Sequence, residues 1–362
     1  MSSGRRVMQS EYLHWAKNQR RVRYPLGSSE VQHFALDQLP ISISDLELDG
    51  ASYYRYPPLR EAIAAKEGVA SECVVMADGT SMANFLAMAA LIAPGDEVLI
   101  EHPVYEPMLA TAVFCGAEVK RFRRPAEEGF RLDPEAVERA LTPRTRLIVV
   151  TNLHNPSGAY ADEATLRQVG EFAARVGARV LVDEVYRDAA FDRAPPPALK
   201  LGGSFICTNS LTKLYGLSGL RCGWILAEPA LAEKMWRLNE LFGVAQAHPA
   251  ERLSCIALAH LAEISAATPA LLERNRALAN RFFAGRDDLE SPAITHGITA
   301  FPRLGRGDVD RLHALLRDRY DTSIVPGRFF EMPDRFRIGV GGATQTLEAG
   351  LSRLAAALDE LT

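Results

Sequence analysis

Lysine is scarce in this chain: six of the 41 basic residues, at positions 17, 66, 120, 200, 213 and 234, are lysine, and the rest are arginine. A lysine at a chemically special position is therefore informative. Cysteine is scarcer still. The five residues Cys73, Cys115, Cys207, Cys222 and Cys255 are odd in number and never spaced as CxxC, so neither a disulfide framework nor a zinc knuckle is indicated. A reducing cytoplasm is the expected location. Long apolar runs are missing as well: the longest, Phe85 to Ala93, has nine residues, well short of a membrane span, and no apolar stretch follows the basic N-terminus. Neither secretion nor membrane insertion is expected. Lys plus Arg (41) nearly balance Asp plus Glu (45), and a net charge of −4 gives no pull toward nucleic acid or anionic lipid. There is no repeat of fixed period, and the eight His and five Cys form no ligand cluster, so no metal is assigned.

What is present is the composition of an ordinary globular protein, 48% hydrophobic and 24% charged over 362 residues, a length that fits about two domains. A helix is expected over Glu11 to Gln19. From about residue 60, helical stretches alternate with short apolar runs such as DEVLIE, RLIVVTN, ARVLVDE and SFICTNS. That alternation implies an α/β fold with a mainly parallel sheet between helices, whose ligands bind at the carboxyl ends of the strands. After about residue 230 the chain turns to long helices, notably Pro269 to Arg286 and Thr346 to Leu361, mixed with the strand-like pieces ITAFPRL and RFRIGVG. This predicts a second, smaller α+β domain. The expected division is a large domain over 41–255 and a small one formed by 1–40 and 256–362.

Polar residues fall where the apolar strands end. Gly79, Thr80 and Ser81 follow CVVMAD, Asn155 follows LIVVTNLH, Asp183 follows ARVLV, and Lys213 follows SFICTNS. On a parallel sheet these would converge on one crevice. A Gly-Thr-Ser turn entering a helix offers free N–H groups, hydroxyls and a positive dipole end to a phosphate, although a Ser or Thr there is more often only a helix cap. The stretch SLTKLYGLSGLRCGW adds Ser210, Thr212 and Arg221, which suit a phosphate, and Lys213, which suits a Schiff base.

The order of these residues resembles the lysine motif of the class I/II aminotransferases, the fold-type-I enzymes dependent on pyridoxal 5'-phosphate (PLP). Their pattern, Ser-x-(Ser/Thr)-Lys-x-(Phe/Tyr)-Gly-x-x-Gly-x-Arg-x-Gly, is matched at every fixed position. Also similar are Asn155-Pro156-Ser157-Gly158, Asp183-Glu184-Val185-Tyr186, Pro94 to Val98 followed by Pro103-Val104-Tyr105, and PGRFF followed by RFRIG. The resemblance runs in order from about residue 50 to the end. It implies that Lys213 holds PLP as a Schiff base and moves the substrate proton, and that Asp183 keeps the pyridine nitrogen protonated. It further implies that Asn155 and Tyr186 bond the ring phenolate and that Tyr105 stacks on the ring. Gly79, Thr80, Ser81, Ser210, Thr212 and Arg221 would bind the phosphate, and Arg337 the substrate carboxylate. The implied activity is transfer of an amino group between an α-amino acid and a 2-oxo acid, by a homodimer with no nucleic-acid or membrane partner. In many relatives a Tyr before Leu-Arg-Glu reaches the neighbouring subunit's phosphate; here the stretch ASYYRYPPLRE offers Tyr53, Tyr54 and Tyr56, and the motif does not choose among them.

Two rivals fail on the sequence. Ser210 to Lys213 also reads Ser-x-x-Lys, the nucleophile motif of penicillin-recognising hydrolases, but the companion Ser-Asp-Asn and Lys-Thr-Gly are missing. A dinucleotide site at Gly339 to Ala343 has only about 20 residues after it, too few for the required βαβ unit. Two others stay open. Lyases, decarboxylases and cyclising synthases share the same cofactor residues, so transamination is preferred on family frequency alone. A non-catalytic effector domain is disfavoured because no helix-turn-helix pattern precedes residue 50.

Overall fold

A computed structural model describes residues 9–361. Residues 1–8 and 362, which the sequence assigns to the smaller domain, lie outside them.

The apolar runs form a seven-stranded sheet of β1 (Val74–Asp78), β2 (Glu97–His102), β3 (Glu118–Arg123), β4 (Thr145–Thr151), β5 (Arg179–Asp183), β6 (Phe205–Ser210) and β7 (Cys222–Leu226), in the order β1-β7-β6-β5-β4-β2-β3. Val98 to Ile100, Leu147 to Val150 and Val180 to Val182 have no exposed surface, because helices cover both faces of the sheet. Continuous apolar strands are what such a sheet requires. From β3 to β6 all pairings are parallel. β7 is antiparallel to both β6 and β1, so the tight Lys213 loop can join β6 to β7 without a crossover helix.

A second buried cluster is built from Phe283, Leu312, Leu316, Ile324, Phe336, Ile338, Leu347 and Leu354. It fills the space between helices Thr268–Ala284, Val309–Tyr320 and Thr344–Leu361 and a small sheet of Thr299–Ala300, Val325–Pro326 and Phe336–Gly339. Leu26, from the N-terminal segment, belongs to this cluster, and its carbonyl accepts from Gly339 N at 2.7 Å. The N-terminal segment is thereby held against the smaller core. Ala257 and Ile264 pack instead on the large-sheet side.

Element ends differ by a few residues from the sequence reading. The first helix is Glu11–Lys17, stopping at Asn18, whose side chain turns back to the carbonyl of His14 at 2.8 Å. The piece ITAFPRL is split into Thr299–Ala300 and Arg303–Leu304 by Phe301-Pro302. Proline has no N–H to continue a ladder.

Candidate active site

Strand register brings the sequence-predicted residues to one edge of the sheet. Thr151 at the end of β4 pairs with Asp183 at the end of β5, and Asp183 with Thr208. Ser210 at the end of β6 lies across from Gly223, and Cys222 from Asp78. For β1 and β7 the meeting comes from antiparallel pairing, which sets the start of β7 beside the end of β1. Ser210 therefore ends a strand and opens no helix, which removes the structural basis of the hydrolase motif.

Beyond Asp78 the chain turns at Gly79, with φ +79°, straight into helix Gly79–Leu91. A Cβ on Gly79 would lie 2.3 Å from Arg221 Nη2, and one on Gly223 would lie 2.5 Å from the Gly79 carbonyl carbon. Both positions therefore need glycine. The two glycines let the Arg221 guanidinium lie against the helix N-terminus, where Nη2 donates to the carbonyl of Asp78 at 3.0 Å. Thr80 Oγ1 donates to Ser210 Oγ at 2.8 Å, and Thr212 N donates to the same oxygen at 3.3 Å. A cation, three hydroxyl residues and a helix N-terminus thus surround one small space, which suits a phosphate group. Ser81 is exposed and, with Asn84, Phe85 and Tyr105, borders a cavity of about 300 Å³.

Asp183 is 4% exposed. Its Oδ2 accepts from Asn84 Nδ2 at 2.8 Å and its Oδ1 from Val185 N at 3.0 Å. Burial pushes its carboxyl up to about 6, although these two bonds and the charge of Lys213 act the other way. A buried carboxylate held by neutral donors alone suits a ligand that brings a cation, such as a protonated pyridine nitrogen. Asn84, which receives the Thr208 hydroxyl at 2.6 Å, escaped the sequence reading. Its signal was a single amide inside the apolar helix MANFLAMAALIA.

Arg337 is 1% exposed. Nη1 donates to Asn155 Oδ1 at 3.0 Å, and Nη2 donates to Tyr12 Oη at 3.0 Å and to the carbonyl of Gly27 at 3.2 Å. Its Nε has no hydrogen-bond partner among the described residues. A fully buried guanidinium with an unused donor suits a carboxylate ligand. Tyr12 and Gly27 were not foreseen, since only the folding back of the N-terminal segment brings them here. Tyr12 also meets Tyr105 edge-on at 5.5 Å between ring centres. Burial holds the Tyr105 phenol far above its usual range and hence neutral.

His154 is buried and its titration pushed well down, mainly by desolvation and then by Arg124, so the ring is neutral. Nε2 lies 3.0 Å from the Pro103 carbonyl and so carries the hydrogen, which leaves Nδ1 to accept from Ser157 Oγ at 2.6 Å. The ring joins the loop before Tyr105 to the loop containing Asn155. Its contacts tie these two loops together.

Tyr186, 2% exposed, opens a segment anchored by buried charges. Arg187 donates to Glu67 at 2.6 Å and Glu184 at 2.9 Å, and Asp188 accepts from Lys66 at 2.9 Å and from the Tyr215 hydroxyl at 2.7 Å. The network ties Tyr186 on one side to Tyr215, two residues after Lys213, on the other. Lys213 itself is partly exposed, its Nζ 3.9 Å from Glu30 Oε2 and its carbonyl accepting from Val31 N at 2.9 Å. A lysine amine open to the same space as Asp183, beside a phosphate-sized cradle, matches the demands of PLP.

Of the three tyrosines in the loop before Leu59, Tyr56 is 5% exposed and accepts from Arg252 Nη1 at 3.0 Å. It is thus committed within its own chain. Tyr53 and Tyr54 are 48% and 46% exposed.

Comparison with known proteins agrees with this geometry. The family model for aminotransferase class I and II matches residues 30–354. Capreomycidine synthase of Streptomyces vinaceus is 32% identical over 350 residues, covering 92% of this chain and 89% of its own. Arginine–pyruvate transaminase of Pseudomonas aeruginosa is 29% identical, covering 84% and 80%. Among solved structures, a PLP-dependent aminotransferase from Streptococcus suis superposes with a TM-score of 0.90 at 25% identity, covering 98% and 99% of the two chains. The PLP-dependent cyclase OrfR superposes at 0.88 with 25% identity, covering 99% of each.

Proposed function

Because this chain belongs to the class I and II aminotransferases, with PLP as cofactor, we propose that it moves an amino group between an α-amino acid and a 2-oxo acid, with Lys213 as the residue that carries the cofactor. The observation behind the substrate class is Arg337, a buried guanidinium whose Nε has no hydrogen-bond partner among the described residues, in the same site as Lys213 and Asp183.

When bound, PLP supplies an aldehyde that captures an amino group and a ring that accepts the electron pair left on the α-carbon. The protein's residues do the rest. Arg221, Thr80, Ser210, Thr212 and the N–H groups around Gly79 and Ser81 hold the phosphate. Asp183 would pair with a protonated pyridine nitrogen, a charge pairing that offsets its own burial. Asn155, whose Oδ1 is taken by Arg337, would have its Nδ2 left for the ring oxygen together with the Tyr186 hydroxyl. Tyr105 would pack on the ring. Arg337 would bind the substrate carboxylate and so set the α-carbon near Lys213 Nζ, whose amine, once free, would take the proton from that carbon. The aromatic wall of Tyr12, Tyr105 and Tyr186 keeps water from this transfer.

A second reading, a cyclising synthase on the same residues, is favoured by the likeness to capreomycidine synthase and to a PLP-dependent cyclase. The two differ in product. Incubation of the yellow protein with a panel of amino acids, followed by mass spectrometry, yields an oxo acid if the chain is an aminotransferase. A product that retains its α-amino nitrogen would replace this reading with the synthase.

The working unit of this proposal is a homodimer. Ile43, Leu48, Tyr53 and Tyr54 on one side and Leu241, Phe242 and Val244 on the other are exposed, and the Tyr54 hydroxyl donates to Glu240, which joins the two segments. Exposed apolar side chains so grouped support an interface with a second copy.

A further inference from the structure

Among the described residues, Lys213, Arg221 and Arg337 as cations and Asp183 and Glu30 as anions border the site. Four have counterparts under the proposed function. Arg221 meets the phosphate, Arg337 the substrate carboxylate, Asp183 the ring nitrogen, and Lys213 the aldehyde carbon. Glu30 has none on the cofactor or on the common part of an α-amino acid. Among the described residues, the basic groups within ion-pair reach of Glu30 are Lys213 Nζ, at 3.9 Å, and the outward-facing imidazole of His33, at 4.0 Å.

Glu30 is also fixed in place. Val31 N donates to the Lys213 carbonyl at 2.9 Å, and the Glu30 carbonyl lies so near Gly341 that a Cβ there would be 2.5 Å away. The backbone is held beside the Lys213 carbonyl, while the carboxylate, about a quarter exposed, lies 3.9 Å from Lys213 Nζ and borders a cavity of about 190 Å³. Gly27, three residues earlier, gives its carbonyl to Arg337. One short extended segment therefore borders the site both at the carboxylate-binding arginine and beside the lysine. A substrate anchored at Arg337 with its α-carbon at Lys213 has its side chain within range of this segment.

We infer that Glu30 is a specificity residue, a carboxylate set to receive the cationic end of the substrate's side chain, so that the preferred amino acid carries a guanidinium or ammonium group. This rests on PLP and an α-amino acid meeting at Lys213, and it holds for the transaminase and the synthase alike. An anchored carboxylate facing a partly enclosed space discriminates by charge, because a neutral side chain leaves it unpaired and an acidic one repels it.

The test uses ligands that cannot react. Desamino-arginine and desamino-citrulline lack the α-amino group, have nearly the same shape and differ in the charge at the far end. Calorimetric titration of the PLP-loaded protein is expected to show desamino-arginine binding about tenfold to a hundredfold more tightly. In Glu30→Gln that ratio falls to near one, while Glu30→Asp, which keeps the charge on a shorter arm, retains part of it. Thermal melts and the visible absorbance of each variant establish that it is folded and loaded. Equal binding of the two ligands by the unsubstituted protein, or a ratio that survives Glu30→Gln, overturns the inference. Failure of the underlying reading has a different signature, a protein that takes up no PLP on Lys213.

Discussion

Asn84 donates its side-chain amide to Asp183 Oδ2 at 2.8 Å, and this neutral bond, with the one from Val185 N, is what the fold offers a carboxylate that is 4% exposed. In the PLP-free protein burial pushes Asp183 up to about 6. Its pKa is about 4 in the unfolded chain, so the folded state binds the proton more tightly. The contribution of Asp183 to stability is then most favourable at and below about pH 4 and declines as the pH rises toward 6, by about 3 kcal/mol. Asn at this position does not titrate. Denaturant unfolding of PLP-free protein should therefore show wild type losing stability relative to Asp183→Asn across that interval. A protonated ring nitrogen against the carboxylate should abolish this dependence in the loaded protein. A difference that stays flat with pH in the PLP-free pair would contradict the assignment.

Under the proposed function, Arg337 separates substrate binding from cofactor binding. Arg337→Ala should lower kcat/KM for amino acids by about thirtyfold to several-thousandfold, as expected when one partner of a desolvated charge pair is removed at a cost of about 2 to 5 kcal/mol. Arg337→Lys keeps the charge but lacks the planar fork, and should recover only part of the loss. The visible absorbance should be unchanged in both, since in this proposal Arg221 and the hydroxyl residues hold the phosphate. Intact amino-acid turnover in Arg337→Ala would move the carboxylate site elsewhere.

The exposed apolar segments predict the assembly. Sedimentation should give a dimer, and the pair of changes Leu241→Glu and Phe242→Glu, which set charges among residues 78% and 53% exposed, should shift it toward monomer with loss of turnover. A fully active monomer would show that the site is complete within one chain.

Much of the site was legible because strand ends and glycine turns leave strong local marks. Lys213, Asp183, Asn155 and Arg221 each follow or precede an apolar run, and the structure brings all four to one sheet edge. The expected convergence on a parallel sheet was only part of the reason, since β7 runs against its neighbours and delivers Arg221 by register. What escaped was set by tertiary folding alone. Gly27 and Glu30 lie in a segment with little periodicity of its own, and their place depends on Leu26 joining the smaller core and on Val31 bonding the Lys213 carbonyl, while Tyr12, in the expected first helix, is brought to Arg337 only by the folding back of that segment. Asn84 was hidden in an apolar helix. A buried amide in such a position does need a partner, and that partner was Asp183.

The central claim is that Lys213, one of only six lysines, carries the cofactor. Borohydride reduction of the yellow protein followed by peptide mass mapping tests it directly. A phosphopyridoxyl group on the peptide containing Lys213, lost in Lys213→Ala together with turnover, is the predicted result. The same group found on another lysine, or retained in Lys213→Ala, would contradict it.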